Sequence, residues 1–474
     1  MTSQKPRVLI LGAGVTGLSA AYHLTRQDNY QVTVLEKADR VGGLASSFKL
    51  GPAIFDFGPH AFHSQQPYII DFFQKVMDGD YNEIEKDVAI KFQGEFYPYP
   101  LNPVQALRRM PLSVSMRCGI SYFWNLLTNF KSMESLKTSE EFFVRNFGWE
   151  LYRIFFEKYT EKVWGIHPRD LSAKFIKNRL PSANLLRIFW SSLTGRDIRI
   201  RKAHEVPLKL RIFYPKEGSI QFPDALRQGT EQKGGQVLLS REVTGIEISN
   251  GRAIAVRLND KEGEHRLECD ILISTIPLPE LIQKFIPPPA PQVLVSAQEL
   301  GFRPILIACL WINKPTIFPR QTIYYTNRIF NRLAQMNSYS ATTTPAGTCG
   351  ITAELTCRVK DPIWIMPEQE LIAKIVADME AEHLITKEDV KEWMILRNVH
   401  GYPIYEVGFE EHLQRLRKTI HDIPNLYAAG RQGMFNYAQM HYGVNAGRMI
   451  ADHLNKGEAK PALSVEDTEE TYFA

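Results

Sequence analysis

Three glycines at fixed spacing, Gly12-Ala-Gly14-Val-Thr-Gly17, could hold a pyrophosphate. Gly12 permits a tight turn, Gly14 lets the backbone approach phosphate oxygens, and Gly17 lets the following helix pack close to its strand. A helix starting there presents free N–H groups and a partial positive charge to an anion. Glu36 stands about where a carboxylate accepts ribose hydroxyls in dinucleotide sites. Directly after it, Lys37-Ala-Asp-Arg40-Val-Gly42-Gly43-Leu44-Ala45 makes a second glycine turn. Further on, Phe55-Asp-Phe-Gly-Pro-His60-Ala-Phe-His63-Ser64 places two histidines three apart. Each imidazole is read either as a structural donor to a backbone carbonyl or as a catalyst. The spacing does not make a zinc site, and no metal is expected. The stretch 187–211 collects Arg187, Arg196, Arg199, Arg201, Lys202, Lys209 and Arg211. It reads as a solvated face, as a gate for an anionic substrate, or as a membrane-surface contact.

The elements needed to position the cradle are present. Arg7-Val-Leu-Ile-Leu11 reads as a short buried strand, Leu18 to Arg26 as a helix, and Gln31-Val-Thr-Val-Leu35 as a second strand ending at Glu36. The run from Val8 to Leu24 is apolar, but its three glycines point to strand, turn and helix rather than a membrane span. No signal peptide, transmembrane segment or internal repeat is expected. With 474 residues, two or three domains are expected. Hydrophobic residues make up 44% and charged residues 23%, the profile of a globular protein. A net charge of +4 gives no argument for nucleic acid. The five cysteines are scattered and odd in number, which argues against a disulfide framework and fits a reducing, cytoplasmic compartment.

The second glycine turn resembles that of the flavoprotein group containing amine oxidases, phytoene desaturases, protoporphyrinogen oxidases and UDP-galactopyranose mutases. In that group it passes close to FAD, so the resemblance implies FAD rather than NAD. Three later segments are similar to parts of the same domain. They are Gly235 to Val243, which the group places at adenine; Cys269 to Pro277, a buried returning strand; and Asn425-Leu-Tyr-Ala-Ala-Gly430-Arg431, followed by a helix to Leu454. The cofactor-binding set implied is Gly12, Gly14, Gly17, Glu36, Lys37, Gly42, Gly43, Leu44, Val243, Gly430, Arg431 and Met440. The expected fold is α/β: a discontinuous Rossmann-type FAD-binding domain over 1–60, 210–290 and 395–460. Helical periodicity (Phe142, Phe143, Phe147, Leu151, Ile154, Phe155) predicts a helical insert over 104–205. A substrate domain built on an antiparallel sheet is expected over 61–103 and 291–394, and a loose polar tail over 456–474.

Within the group the chain most resembles the UDP-galactopyranose mutases. Gly58 to His63, Tyr159-Thr-Glu-Lys-Val-Trp164-Gly165, Arg179-Leu-Pro181, Tyr402-Pro-Ile404 and Gly430-Arg431 with Tyr437 match their motifs, over about 1–105, 151–181 and 395–455. Gln439 stands where the mutases usually carry an acid. In those enzymes reduced flavin attacks the anomeric carbon through N5, the nucleoside diphosphate leaves, and the sugar ring opens and recloses as a furanose. By that resemblance Arg179 and Arg332 hold the diphosphate, whose oxygens suit a rigid guanidinium fork. Tyr159, Tyr402 and Tyr437 contact phosphate, Trp164 meets the base, His63 lies near flavin N5, and Arg431 contacts FAD. The implied ligand is an anionic nucleotide sugar. A redox enzyme of the same fold, taking hydride from substrate to flavin, is the alternative. The sequence gives no oligomeric state.

Overall fold

A computed structural model describes residues 5–98, 107, 109–177, 211–458 and 460. Arg179, the basic stretch up to Lys209, and the tail beyond Lys460 lie outside the described residues.

The first strand, Arg7–Leu11, is apolar and buried because both of its faces are covered. It is central in a five-stranded parallel sheet, whose strand order is Leu426–Ala428, Ile271–Ser274, Arg7–Leu11, Gln31–Leu35 and Gln236–Leu238. The two expected strands at the N-terminus are found with the bounds read from the sequence. The helix between them, Val15–Thr25, begins three residues earlier than its periodicity suggested, right at the glycine turn. It packs against the last helix, Met440–Lys456. That contact is close: a Cβ on Gly443 would lie 2.6 Å from the Thr16 hydroxyl, and one on Gly447 2.6 Å from the Thr16 carbonyl.

A seven-stranded sheet forms the other wall of the molecule. Its order is Val390–Pro403, Phe302–Ile312, Cys349–Thr356, Arg332–Gln335, Thr322–Tyr325, Val88–Phe92 and Glu95–Pro98. It is antiparallel except where Thr322–Tyr325 runs parallel to Val88–Phe92. The strand Val390–Pro403 pairs with Phe302–Ile312 through the boundary placed at 395, so that boundary shifts to beyond Pro403. The helix Pro67–Met77 departs from the expected division too. It packs on the helices Gln221–Glu231 and Met440–Lys456, in the core of the parallel-sheet side.

Between 107 and 177 the named elements are helices: Leu112–Thr128, Ser139–Leu151, a π-helix Tyr152–Glu157, Lys158–Trp164 and Ala173–Lys177. Thr138 and Glu141 close a capping box at the start of the second of these. The tail does not begin loosely at Lys456. That residue is still helical, and the Lys460 ammonium donates to the carbonyls of Ile420 and Leu426 at 2.9 and 2.6 Å.

Candidate active site

The two sheets meet at a cavity of about 480 Å³, within the range of ligand pockets. Its floor at one end is the N-terminal glycine turn. Gly12 has φ +100°, a conformation open to glycine, and its N–H donates to the Leu35 carbonyl at 2.8 Å. Gly17 is forced by proximity, because a Cβ there would sit 2.0 Å from the Gly12 carbonyl oxygen. Gly14 borders the cavity, and a Cβ on it would meet nothing within 4 Å. A cradle is left there at the N-terminus of an eleven-residue helix, where backbone N–H groups and the helix dipole favour phosphate. The second turn closes over the first through the Gly42 N–H, which donates to the Ala13 carbonyl at 2.8 Å.

Glu36 is held by two backbone donors, Ala13 N–H at 2.8 Å and Ala38 N–H at 2.9 Å. A carboxylate has about four lone-pair sites, so acceptor capacity remains for hydroxyls. Of the expected cofactor residues, Gly12, Gly14, Glu36, Lys37, Gly42 and Gly43 line the cavity. So do Leu44, Val243, Gly430, Arg431 and Met440; Gly17 supports the turn from behind. Arg431 ties the far wall together, donating to the carbonyls of Gly401 (2.8 Å) and Ala438 (3.3 Å). Its buried Nε and the buried Gln432 Oε1 have no hydrogen-bond partner among the described residues, and both residues border the cavity, so they are placed for a polar ligand.

The inner end of the cavity is polar. Arg332, Tyr402, Tyr437 and His63 are there as expected. His60, read from the sequence as a structural donor or a catalyst, stands with them, as do Lys86, Tyr324 and Tyr339, to which sequence reasoning assigned no role. Arg332 does not present a free fork. Its Nε donates to Glu354 Oε2 at 2.7 Å, its Nη2 pairs with the same oxygen, and its Nη1 lies 3.4 Å from the Tyr324 hydroxyl. The other Glu354 oxygen accepts from the Tyr402 hydroxyl at 2.9 Å. Sheet register makes this network, since Arg332 stands opposite both Glu354 and Tyr324 on neighbouring strands. Burial pulls the Arg332 pKa down, but Glu354 and the surrounding tyrosines outweigh it and hold the guanidinium well above its ordinary range. Tyr402 is pushed up by burial and then by Glu354, so it stays a neutral donor.

The neighbouring bases are shifted the other way. Burial, then Arg332, lowers the Lys86 pKa. His60 falls to about 4 by burial, with its Nδ1 2.7 Å from the Gly58 carbonyl. His63 also falls to about 4, by burial and the nearby Lys86, and Gln439 hydrogen-bonds its ring. His441, with its ring centre 5.5 Å from that of His63, is lowered to about 4 as well. These imidazoles are neutral at pH 7 and can donate or accept. The segment carrying His60 and His63 is anchored by Asp56, fully buried, which accepts from Ser47 Oγ (2.6 Å), Tyr214 OH (2.7 Å) and Ser219 N–H (3.0 Å).

Two expected contact residues stand one layer back. Trp164 is buried behind the stacked rings of Tyr402 and Tyr437, whose centres are 5.2 Å apart. The Arg431 guanidinium lies 4.2 Å from the Tyr437 ring centre. Trp164 therefore buttresses this stack and, among the described residues, does not face the cavity where a base was expected. Tyr159 packs edge-on against Tyr324, 6.3 Å between ring centres, and reaches the cavity through it. Arg179 lies outside the described residues.

A family model for flavin containing amine oxidoreductases matches residues 15–455 of the chain. Among curated proteins the chain is similar to a probable UDP-galactopyranose mutase of Klebsiella pneumoniae, 28% identical over 179 residues, 37% of this chain and 44% of that protein. It is also similar to the dTDP-fucopyranose mutase of Escherichia coli, 26% identical, covering 37% and 46%, and to the coproporphyrinogen III oxidase of Staphylococcus aureus, 24% identical, covering 54% and 57%. These matches span about half the length of the curated relatives. Among solved structures, that of a reduced UDP-galactopyranose mutase superposes with a TM-score of 0.81 at 21% identity, covering 96% of this chain and 97% of that one. A putative protoporphyrinogen oxidase of Exiguobacterium sp. 255-15 gives 0.73 at 16% identity, covering 97% and 100%. Those likenesses are of fold. The family binds flavin, and the two-turn glycine cradle with Glu36 fits the dinucleotide form, so the cofactor is FAD. The chain is a flavoenzyme and belongs to the flavin containing amine oxidoreductase family.

Proposed function

We propose that this flavoenzyme is a sugar-nucleotide mutase, interconverting pyranose and furanose forms of a nucleoside-diphosphate sugar for polysaccharide or glycoconjugate synthesis. The observation that carries the reading is the inner end of the cavity. Lys86, Arg332 and Arg431 converge there with the phenols of Tyr324, Tyr402 and Tyr437, and Glu354 supplies one compensating charge. Such a wall suits a diphosphate and a polyhydroxylated ring, and would leave a hydrocarbon substrate facing buried charge.

Bound FAD in its reduced form supplies the nucleophile for the anomeric carbon. The chain's own groups do the rest. Lys86 and Arg431 meet phosphate oxygens and stabilise the diphosphate as it departs. Tyr437 donates to those oxygens without adding charge. Glu354 fixes the Tyr402 hydroxyl and the Arg332 guanidinium in place, so neither must reorganise as charge moves. Neutral His60 and His63 keep further cationic charge away from the flavin position. The same diphosphate rejoins the isomerised sugar, so the cycle is redox-neutral. Five free, buried cysteines are consistent with a reducing, cytoplasmic setting.

The test is an anaerobic titration of the dithionite-reduced protein with UDP-, GDP- and dTDP-sugars, with chromatography of the product. Isomerisation only with reduced flavin, weakened by Lys86→Met, is the expected result. Absence of nucleotide-sugar binding, with hydride transfer from a porphyrinogen, polyene or amine to oxidised flavin, would overturn the reading in favour of an oxidase.

A further inference from the structure

The helix Leu112–Thr128 has an inner face that packs and an outer apolar face that no described residue covers. On the inner side Cys118 and Asn125 are buried, the Asn125 amide donates to the Arg145 carbonyl at 3.2 Å, and the Glu150 N–H donates to the Ser121 hydroxyl at 3.2 Å. Gly148 lets the neighbouring helix close on this side, since a Cβ there would lie 2.9 Å from Tyr122 backbone. At about 100° per residue, Leu112, Met116, Ile120, Phe123, Trp124 and Leu127 project together from the opposite side, within an arc of about 120°.

That outer row is not covered by the described structure. Leu112 is 77% exposed, Ile120 68%, Trp124 67% and Leu127 70%, and Phe130, just past the helix end, is 84% exposed. Taking ~150–250 Å² per large side chain, the row exposes on the order of 800 Å² of apolar surface, beyond the ~300–600 Å² of a typical largest patch. Charge decides what fits it. Between Glu95 and Glu134 the sequence has no acidic residue, while Arg108, Arg109, Arg117 and Lys131 are basic. Arg117 is exposed beside the row, and Lys131, also exposed, is paired with Glu141 at 2.5 Å. Apolar side chains rich in Trp, Phe and Leu, on a helix that carries a cation and no acid, are the pattern of a helix lying in an anionic lipid interface. Among the described residues no helix is long and apolar enough to cross a membrane, so the geometry is peripheral.

We propose that the outer face of Leu112–Thr128 docks this flavoenzyme on an anionic membrane surface, with Ile120, Phe123, Trp124 and Leu127 entering the acyl boundary and Arg117 at the headgroups. The test uses the full FAD-loaded chain, sedimented with vesicles of phosphatidylcholine alone or mixed with phosphatidylglycerol. Binding is expected to the phosphatidylglycerol vesicles and to weaken as salt is raised. Ile120→Glu/Trp124→Glu should lower the partition about tenfold or more, and Arg117→Glu about threefold, on the anchoring logic of interfacial helices. Flavin absorbance should be unchanged in each, which reports that the variants fold. Light scattering and acrylamide quenching of Trp124, taken as the difference from Trp124→Phe, separate the other occupants. A vesicle-indifferent dimer that the double variant splits assigns the face to a second copy and overturns the proposal. A Trp124 already shielded in the vesicle-free monomer assigns it to other residues of the chain, with the same consequence. Equal vesicle binding by wild type and double variant overturns it as well.

Discussion

Replacing Glu354 by Gln tests the central claim about the inner cavity, that Arg332 is held there by one carboxylate. The Glu354 side chain is 7% exposed and the Arg332 side chain 20%. At their 2.7 Å Nε–O separation and an effective dielectric of about 20, the attraction is about 6 kcal/mol before desolvation is charged against it. Removing one partner of a buried pair leaves the other uncompensated, at a net cost of about 3–5 kcal/mol. Glutamine keeps one oxygen for the Tyr402 hydroxyl, so the low end, about 3 kcal/mol, is expected. In a melt of the apoprotein that is a fall of roughly 3 °C, since about 2.1 cal/mol/K per residue over 474 residues makes each kcal/mol worth about 1 °C. Pyrophosphate should then stabilise Glu354→Gln more than wild type, because the guanidinium has regained an opening for an anion. At a hundredfold excess over its Kd a ligand returns about 2.7 kcal/mol. Arg332→Met/Glu354→Gln should cost less than the sum of its single variants, since the double change leaves no orphan charge. A Glu354→Gln protein as stable as wild type, or single costs that simply add, would refute the pairing argument.

Gly17→Ala should yield a folded protein largely stripped of flavin. A methyl group 2.0 Å from the Gly12 carbonyl oxygen must push the first helix off the turn, and overpacking of about 1–3 kcal/mol weakens FAD roughly 5- to 150-fold. The ratio of flavin absorbance to protein in the purified variant reads this, and a wild-type ratio counts against the cradle. The pH dependence of apoprotein stability should follow the neutral imidazoles. His60, His63 and His441 have folded pKa values of about 4, below the ordinary value near 6.5. The unfolded chain therefore binds protons first as pH falls, so the stability is complete above about pH 6.5 and drains away towards pH 4, by about 1–3 kcal/mol per ring after allowance for partial exposure. His60→Gln should flatten part of that slope between pH 4.5 and 6.5, and an unchanged slope would remove His60 from the account.

The dinucleotide half of the molecule was legible because its signals are local. A buried apolar run, glycines at fixed offsets and an acid at the end of the next strand all sit within 36 residues, and the strands Arg7–Leu11 and Gln31–Leu35 form where they were read. The inner cavity was only half legible because it is assembled by sheet register. Tyr324, Arg332 and Glu354 are neighbours solely because three strands align them. One signal was available: Glu354 is the single charged residue in Cys349-Gly-Ile-Thr-Ala-Glu-Leu-Thr356, a strand buried almost throughout. An acid in such a strand needs a cation, and Arg332 was already a candidate. Lys86 had no such signal, since it stands in a short connection between the strands Tyr81–Glu85 and Val88–Phe92. Trp164 was misplaced by one layer: its motif fixed its neighbourhood, whereas its orientation was fixed by packing against Tyr402 and Tyr437.

The charge count at the inner end distinguishes an anionic ligand from a neutral hydrocarbon. Lys86, Arg332 and Arg431 give three positive charges, Glu354 gives one negative, and His60 and His63 are neutral at pH 7. The surplus is about that of a diphosphate, whose binding would discharge it. A neutral polyene would instead strip water from Lys86 and Arg431 and return no anion, a desolvation cost of several kcal/mol per ion. Burial, and then the field of Arg332, already lower the Lys86 pKa. An anion arriving beside Lys86 should reverse that shift. Nucleotide-sugar binding is thus expected to take up a proton at alkaline pH, where Lys86 is partly deprotonated, and Lys86→Met should abolish that uptake while leaving the flavin bound. Isothermal titration in two buffers of different ionisation heat measures the proton directly. Zero uptake by wild type across the alkaline range would mean that Lys86 does not meet the anion, and the assignment of the diphosphate to this end of the cavity would fall with it.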